Sequence, residues 1–130
     1  MDGKKVLIIE DDTFLSDMYQ TKFSSDGFQV TMAEDGEVGI KLLTGDLRPD
    51  IILLDIVMPK IDGIETLTKI KKMEDVKDIP VIMLTNLGQK EEIDKAMSLG
   101  ATSYLIKANY TPSEVVKKVS ETLDGLNNNS

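Results

Sequence analysis

The stretch from Ile51 to Gly63 reads IILLDIVMPKIDG. Four aliphatic residues, Ile51 to Leu54, run straight into Asp55, and Pro59 and Gly63 follow. An unbroken aliphatic run bounded by turn residues fits a strand buried on both faces, as in a parallel sheet. The carboxylate of Asp55 then sits where the chain leaves the core. Proline fixes φ and glycine permits tight geometry, so MPKIDG lets the chain turn away without covering that carboxylate.

Working outward, strand and helix patterns alternate. Upstream, KVLII is a short aliphatic run, and TFLSDMYQTKF puts Phe14, Leu15, Met18, Tyr19 and Phe23 on one helical face. Gly27 fits a helix stop, FQVTMA alternates like an edge strand, and GEVGIKLLTG reads as a short helix that Gly45 ends. Downstream, IETLTKIKKM is helical, IPVIMLT is a third aliphatic run, KEEIDKAMSLG is a helix stopped by Gly100, and TSYLIK is a strand. Thr111, Pro112, Ser113 and Glu114 form a capping box with proline at the first helical position. Val115, Val119, Leu123 and Leu126 continue it as an apolar stripe. Strand and helix thus alternate five times. This predicts an α/β fold: a doubly wound, five-stranded parallel sheet in the flavodoxin-like order 2-1-3-4-5, with five helices. One domain is expected over residues 1–126, with a frayed polar tail over 127–130.

The totals narrow the chemistry. The chain has 130 residues, 41% hydrophobic and 29% charged, as expected of one ordinary globular domain. It has no cysteine and no histidine, which excludes disulfides, thiolate metal sites, imidazole catalysis and the usual zinc sites. A net charge of −8 has the wrong sign for counterion release from a nucleic acid, so no direct nucleic-acid partner is expected. No apolar run approaches the roughly 18 residues of a membrane span. Lys4 and Lys5 precede only VLII, too short for a signal peptide, and a cytoplasmic home is the simpler reading. The strip Lys69 to Lys72 reads as a solvated helix face, and Met73, Met83 and Met97 as core filler.

The polar residues collect at strand ends. The first strand ends in Glu10, Asp11 and Asp12, the third in Asp55, the fourth in Thr85 and the fifth in Lys107. In a parallel sheet these ends share one edge, and ligands bind there, where the strand order reverses between strands 1 and 3. Crowded carboxylates raise one another's pKa, and a divalent cation resolves the conflict. Oxygen ligands alone select a hard ion, Mg²⁺ or Mn²⁺. With Lys107 and Thr85 beside it, the cluster makes a site for a phosphoryl group, and Asp55 is the natural nucleophile.

The marks IIEDD, LLDIVMPKIDG, MLT and YLIK, each at a strand end and in this order, resemble the receiver domain of two-component response regulators, of the single-domain, chemotaxis type. The resemblance covers about residues 4–126. It implies that Asp55 is the phospho-acceptor, Asp11 a direct metal ligand, Glu10 an acid acting through a metal-bound water, and the backbone carbonyl of Val57 a further ligand. It also implies that Thr85 is the switch hydroxyl and Tyr104 the aromatic that turns inward once Thr85 is engaged. Asp12 reads instead as first-turn or cap chemistry for the first helix, with a place in the pocket as the alternative. The implied donor is a histidine kinase or histidine phosphotransfer domain. The implied output is a protein partner on the surface of helix 4, strand 5 and helix 5. Such a chain is a phospho-acceptor with intrinsic Mg²⁺-dependent autophosphorylation rather than an enzyme.

Three departures from the family's pattern stand out, the last of them at two positions. Ala108 follows Lys107 where proline is usual, and a cis bond before a non-proline residue costs about 2.5–4 kcal/mol, so a different loop geometry is expected there. Asn86 follows Thr85 where a small residue is common. Val57 and Leu87 are apolar at positions that govern attack by water on the acyl phosphate, which predicts slow autodephosphorylation.

Other readings compete. A haloacid-dehalogenase-type phosphatase would carry a second acid where Val57 stands. A flavin carrier would want a Ser-, Thr- and Gly-rich loop where EDDTFLS stands. A receiver-like binding module that is never phosphorylated is the remaining alternative. Tyr104 could be a structural tyrosine at the sheet edge. No output domain follows helix 5, which fits either a stand-alone receiver or a fragment of a longer regulator.

Overall fold

The aliphatic runs form the strands they predict. In the computed structural model, which describes residues 2–128, the order is β1 (Lys5–Ile9), α1 (Thr13–Ser25), β2 (Gln29–Ala33), α2 (Gly36–Thr44), β3 (Ile51–Asp55), α3 (Gly63–Lys71), β4 (Val81–Thr85), α4 (Lys90–Ser98), β5 (Ser103–Ile106) and α5 (Pro112–Asn128). All strand pairs are parallel, and the sheet order is β2-β1-β3-β4-β5, as expected. Helix α5 continues through Asn127 and Asn128, the first half of the expected tail. Met1, Asn129 and Ser130 lie outside the described residues. No described helix is long and apolar enough to cross a membrane.

Alternate strand residues feed two cores, one on each face of the sheet. Leu7, Ile9, Ile52, Leu54, Val81 and Met83 pack with Leu67 and Ile70 of α3 and Ala96 of α4. Val6, Ile8, Ile51, Leu53, Ile82 and Leu84 pack with Tyr19 and Phe23 of α1 and Val115, Val119 and Leu123 of α5. Burial on both faces is why β1, β3 and β4 read as continuous apolar runs. Strand β2 at the edge is only partly buried and reads as mixed.

Helix ends follow from local chemistry. Asp12, Asp35 and Asp62 each accept a backbone N–H three residues on, capping α1, α2 and α3. The capping box of α5 closes in both directions, Thr111 N–H to Glu114 and Glu114 N–H to Thr111 Oγ1.

Several expected core residues face outward. Phe14 is 74% exposed, and Met18 is only half-buried. The inward stripe of α1 is Leu15, Tyr19 and Phe23, spaced by four; Phe14 and Met18 lie one residue behind it on the helical wheel. Phe28 joins the core edge-on to Phe23, with ring centroids 5.0 Å apart. On α5, Val116 is buried and Leu126 exposed. Met83 is buried and Met73 packs against the core, but Met97 on α4 is exposed. Lys71 leaves the expected solvated strip: its half-buried ammonium donates to the Lys77 carbonyl at 3.0 Å, and burial lowers its pKa.

Candidate functional site

Strand register sets the acids opposite one another. β1 pairs with β3 from Val6 with Ile51 to Ile9 with Leu54, and one further step sets Glu10 beside Asp55. Asp11 follows at the mouth of the crevice and is exposed, whereas Glu10 and Asp55 are buried. Oxygens of these three residues all lie within 4.8 Å of one another. Asp12 points elsewhere, accepting the Leu15 N–H at 3.1 Å as the cap of α1.

Lys107 reaches this cluster from two strands away. A short 3₁₀ turn, Lys107–Asn109, follows β5, and β4 separates β5 from β3. Strands lie about 4.8 Å apart, so only a long side chain spans that gap. The Lys107 ammonium sits 2.7 Å from Glu10 Oε1 and 2.9 Å from Asp55 Oδ2. Ala108 does not prevent this, and no peptide bond among the described residues is cis. The expected strand to Lys107 ends one residue early, at Ile106.

The charges are coupled. Burial pushes the Glu10 carboxyl up to about 7, and neighbouring Asp55 adds to the rise against the pull of Lys107. Burial alone would lower the Lys107 pKa, but its bonds to Glu10 and Asp55 and their negative charge hold it above the usual lysine value. Three carboxyl groups face one ammonium, so with all three acids ionised the cluster would carry two net negative charges for a divalent ion to match. Oxygen-only donors at this spacing fit Mg²⁺ or Mn²⁺.

The turn after Asp55 is built for close approach. The Gly63 N–H donates to the Ile56 carbonyl at 2.7 Å. A Cβ at Gly63 would collide with the Asp55 carbonyl oxygen and come within 2.6 Å of Ile56 Cα. Lys60 takes a left-handed φ of 70°. Its ammonium lies 3.3 Å from buried Asp35, whose pKa the Val38 N–H and then Lys60 hold below the usual range. This pair ties the loop after β3 to the start of α2; only Asp35's place just before a helical pattern hinted at it.

The remaining residues are less committed. Thr85 is buried at the end of β4, but its hydroxyl donates to Gln89 Oε1 at 2.7 Å. Tyr104 is 43% exposed, with its ring outward on β5. It lines an open groove between α4 and β5 with Met97 and Ile93. Val57 and Leu87 are 54% and 68% exposed, so neither is packed into the core. In the sequence Gln89 marks only the start of the expected partner surface, about Gln89 to Leu126, and its side chain has no assigned role.

Known proteins share this sequence pattern and fold. The family model "Response regulator receiver domain" matches residues 6–120. Response regulator SaeR of Staphylococcus epidermidis is 39% identical over 119 residues, 91% of this chain and 49% of that protein. The DNA-binding dual master transcriptional regulator RpaA of Synechocystis sp. is 39% identical over 103 residues, 79% of this chain and 42% of that protein. The chain thus spans about half the length, or less, of these curated relatives. Among solved structures, a CheY-like response regulator receiver domain protein from Methanospirillum hungatei superposes with a TM-score of 0.88 at 26% identity, covering 99% of this chain and 100% of that one. The Mn²⁺-bound form of response regulator Rcp1 gives a TM-score of 0.75 at 28% identity, covering 95% and 91%. With the 2-1-3-4-5 sheet and the acidic crevice at its edge, these matches place the chain in the response regulator receiver domain family of two-component systems.

Proposed function

We propose that Asp55 accepts a phosphoryl group from a phosphohistidine on a histidine kinase or histidine phosphotransfer domain. The observation that carries this is the Lys107 ammonium bridging Glu10 and Asp55 beside a third carboxylate. An Asp55 oxygen attacks phosphorus, the phosphorus–nitrogen bond breaks with its electron pair passing to the donor's ring nitrogen, and the ring, already protonated on its other nitrogen, departs as neutral imidazole. Glu10, Asp11, Asp55 and the Val57 carbonyl would hold Mg²⁺ or Mn²⁺, which when bound neutralises charge on the transferred group. Lys107, beside Asp55, would also offset that charge, and the Thr85 hydroxyl would donate to a phosphoryl oxygen. Support for the metal comes from the donor chemistry and from the Mn²⁺-bound relative. Small phosphodonors should serve in place of the protein donor.

The acyl phosphate would bias a two-state surface on α4, β5 and α5, with Tyr104 turning inward, toward a downstream protein partner. Val57 and Leu87 offer no polar group to orient an attacking water, which supports slow autodephosphorylation. The setting is cytoplasmic, where the donor phosphohistidine resides. Lys107 reaches both carboxylates although Ala108 follows it, which favours this reading over a module that is never phosphorylated.

Incubation with Mg²⁺ and a small phosphodonor should add one phosphoryl group to the wild type and none to Asp55→Ala, read by intact mass. A wild type that shows no Mg²⁺-dependent gain, by mass or on beryllofluoride addition, overturns the proposal.

A further inference from the structure

The loop between β4 and α4 holds hydrogen bonds that phosphoryl transfer does not use. Gln89 Oε1 lies 2.7 Å from Thr85 Oγ1 and 2.9 Å from the backbone nitrogen of Asn86. A backbone N–H only donates, so the Gln89 atom facing it is the carbonyl oxygen and not the NH₂ group. That oxygen in turn only accepts, so the proton between Thr85 and Gln89 belongs to Thr85. A hydroxyl has one proton to give. Its other acceptor, the Asn86 carbonyl at 3.2 Å, is on the same loop.

Gln89 occupies the N-cap of α4, yet its side chain makes no cap bond to that helix. The corresponding residues of α1, α2 and α3 are aspartates that do cap. The Gln89 side chain instead turns back across Leu87 and Gly88 to the strand end. Gly88 provides the turn with a left-handed φ of 85°. One amide therefore ties the hydroxyl at the end of β4 to the residue that begins α4.

We propose that Gln89 is a positioning residue that withholds the Thr85 hydroxyl from an incoming phosphoryl group, and that its release passes the event at Asp55 into the first turn of α4. This rests on reading Asp55 as the acceptor. For Thr85 to donate to a phosphoryl oxygen, its hydrogen bond to Gln89 must break; the proton stays on Oγ1 and changes only its acceptor. Gln89 then keeps the Asn86 N–H alone, and α4 loses its side-chain tie to β4. Breaking that tie opposes engagement of the phosphoryl group, and a variant without the acceptor is spared it.

The test is a titration of the full chain with beryllofluoride in saturating Mg²⁺, followed by amide NMR. The proteins are wild type, Gln89→Met, Gln89→Ala, Gln89→Glu, Thr85→Ala and the double variant Thr85→Ala with Gln89→Met. Methionine keeps the length of the side chain and removes the amide acceptor; alanine guards against a folding defect peculiar to one variant. Gln89→Met and Gln89→Ala should bind beryllofluoride about fivefold more tightly than wild type, the equivalent of one net neutral hydrogen bond. Gln89→Glu, which retains the acceptor, should show no gain. Mg²⁺ affinity without beryllofluoride should not change, because Gln89 lies outside the acid cluster. In the Thr85→Ala background, Gln89→Met should add nothing. Equal or weaker binding by Gln89→Met and Gln89→Ala overturns the proposal, as does a gain that persists without the Thr85 hydroxyl or appears in Gln89→Glu. Those results leave the acceptor reading intact, whereas a wild type that binds no beryllofluoride defeats both.

Discussion

The two halves of the crevice differ in readiness. On the side of β1, β3 and β5, Glu10 and Asp55 are buried, and the half-buried Lys107 joins them at 2.7 and 2.9 Å. On the side of β4 and α4, the Thr85 hydroxyl is occupied by Gln89 and the Tyr104 ring lies outward. The first half is organised before any ligand arrives, so electrostatic stabilisation there needs little reorganisation. The second half has bonds to break, which a two-state switch requires. On the proposed function, chemistry and signalling would thus be divided between strand ends that share one edge.

Lys107→Ala should separate the two halves most sharply. On the proposed function, removing the ammonium that lies beside Asp55 should slow phosphoryl transfer by about 10²- to 10³-fold. Mg²⁺ should bind Lys107→Ala more tightly, because the competing ammonium is gone. A parallel loss of Mg²⁺ affinity would mean that Lys107 organises the acids rather than serving the transferred group. Next comes Gly63→Ala, which drives a methyl into the Asp55 carbonyl. We expect a loss of about 1–3 kcal/mol in urea unfolding, with phosphorylation impaired as well. An unchanged midpoint would show that the prepared half is softer than its packing implies.

The pH dependence tests the same half. With Glu10 pushed up to about 7, the folded chain holds this proton more tightly than the unfolded chain does. Metal-free stability should therefore fall as pH rises from about 4.5 to about 7, the window in which the folded state binds more protons. Mg²⁺ needs the ionised carboxylate, so its affinity should rise by up to about tenfold between pH 6 and 8. Calorimetry should show that slope in the wild type and a flatter one in Glu10→Gln. The smallest effect belongs to the uncommitted half. Tyr104→Phe should leave stability and phosphorylation rate within about 0.5 kcal/mol of wild type, since the ring is largely outside the core. A larger change in either would place Tyr104 with the organised residues.

Much of this was legible in the chain. The continuous runs at Val6, Ile51 and Val81 specify strands buried on both faces, and sheet order then brings Glu10, Asp11 and Asp55 together. Asp12 as a cap and the box from Thr111 to Glu114 are local chemistry, and both form as read. Phe14, Met97 and Leu126 were misread because periodicity locates a helix face without fixing where its edge meets solvent. Gln89 was invisible for another reason. A glutamine before a helix has several partners within reach, and choosing among them takes the geometry of the loop. Lys71 shows the same limit, since its place in a basic strip gives no hint of the Lys77 carbonyl beneath it.

The bond from Lys107 to Glu10 spans 97 residues of chain. During synthesis the acids of β1 and β3 exist long before the lysine does. A nascent chain that has completed β3 already carries the crowded carboxylates, but the ammonium that pairs with Glu10 and Asp55 is still to be made. The crevice can therefore reach its final charge balance only once β5 and the residue after it have been made.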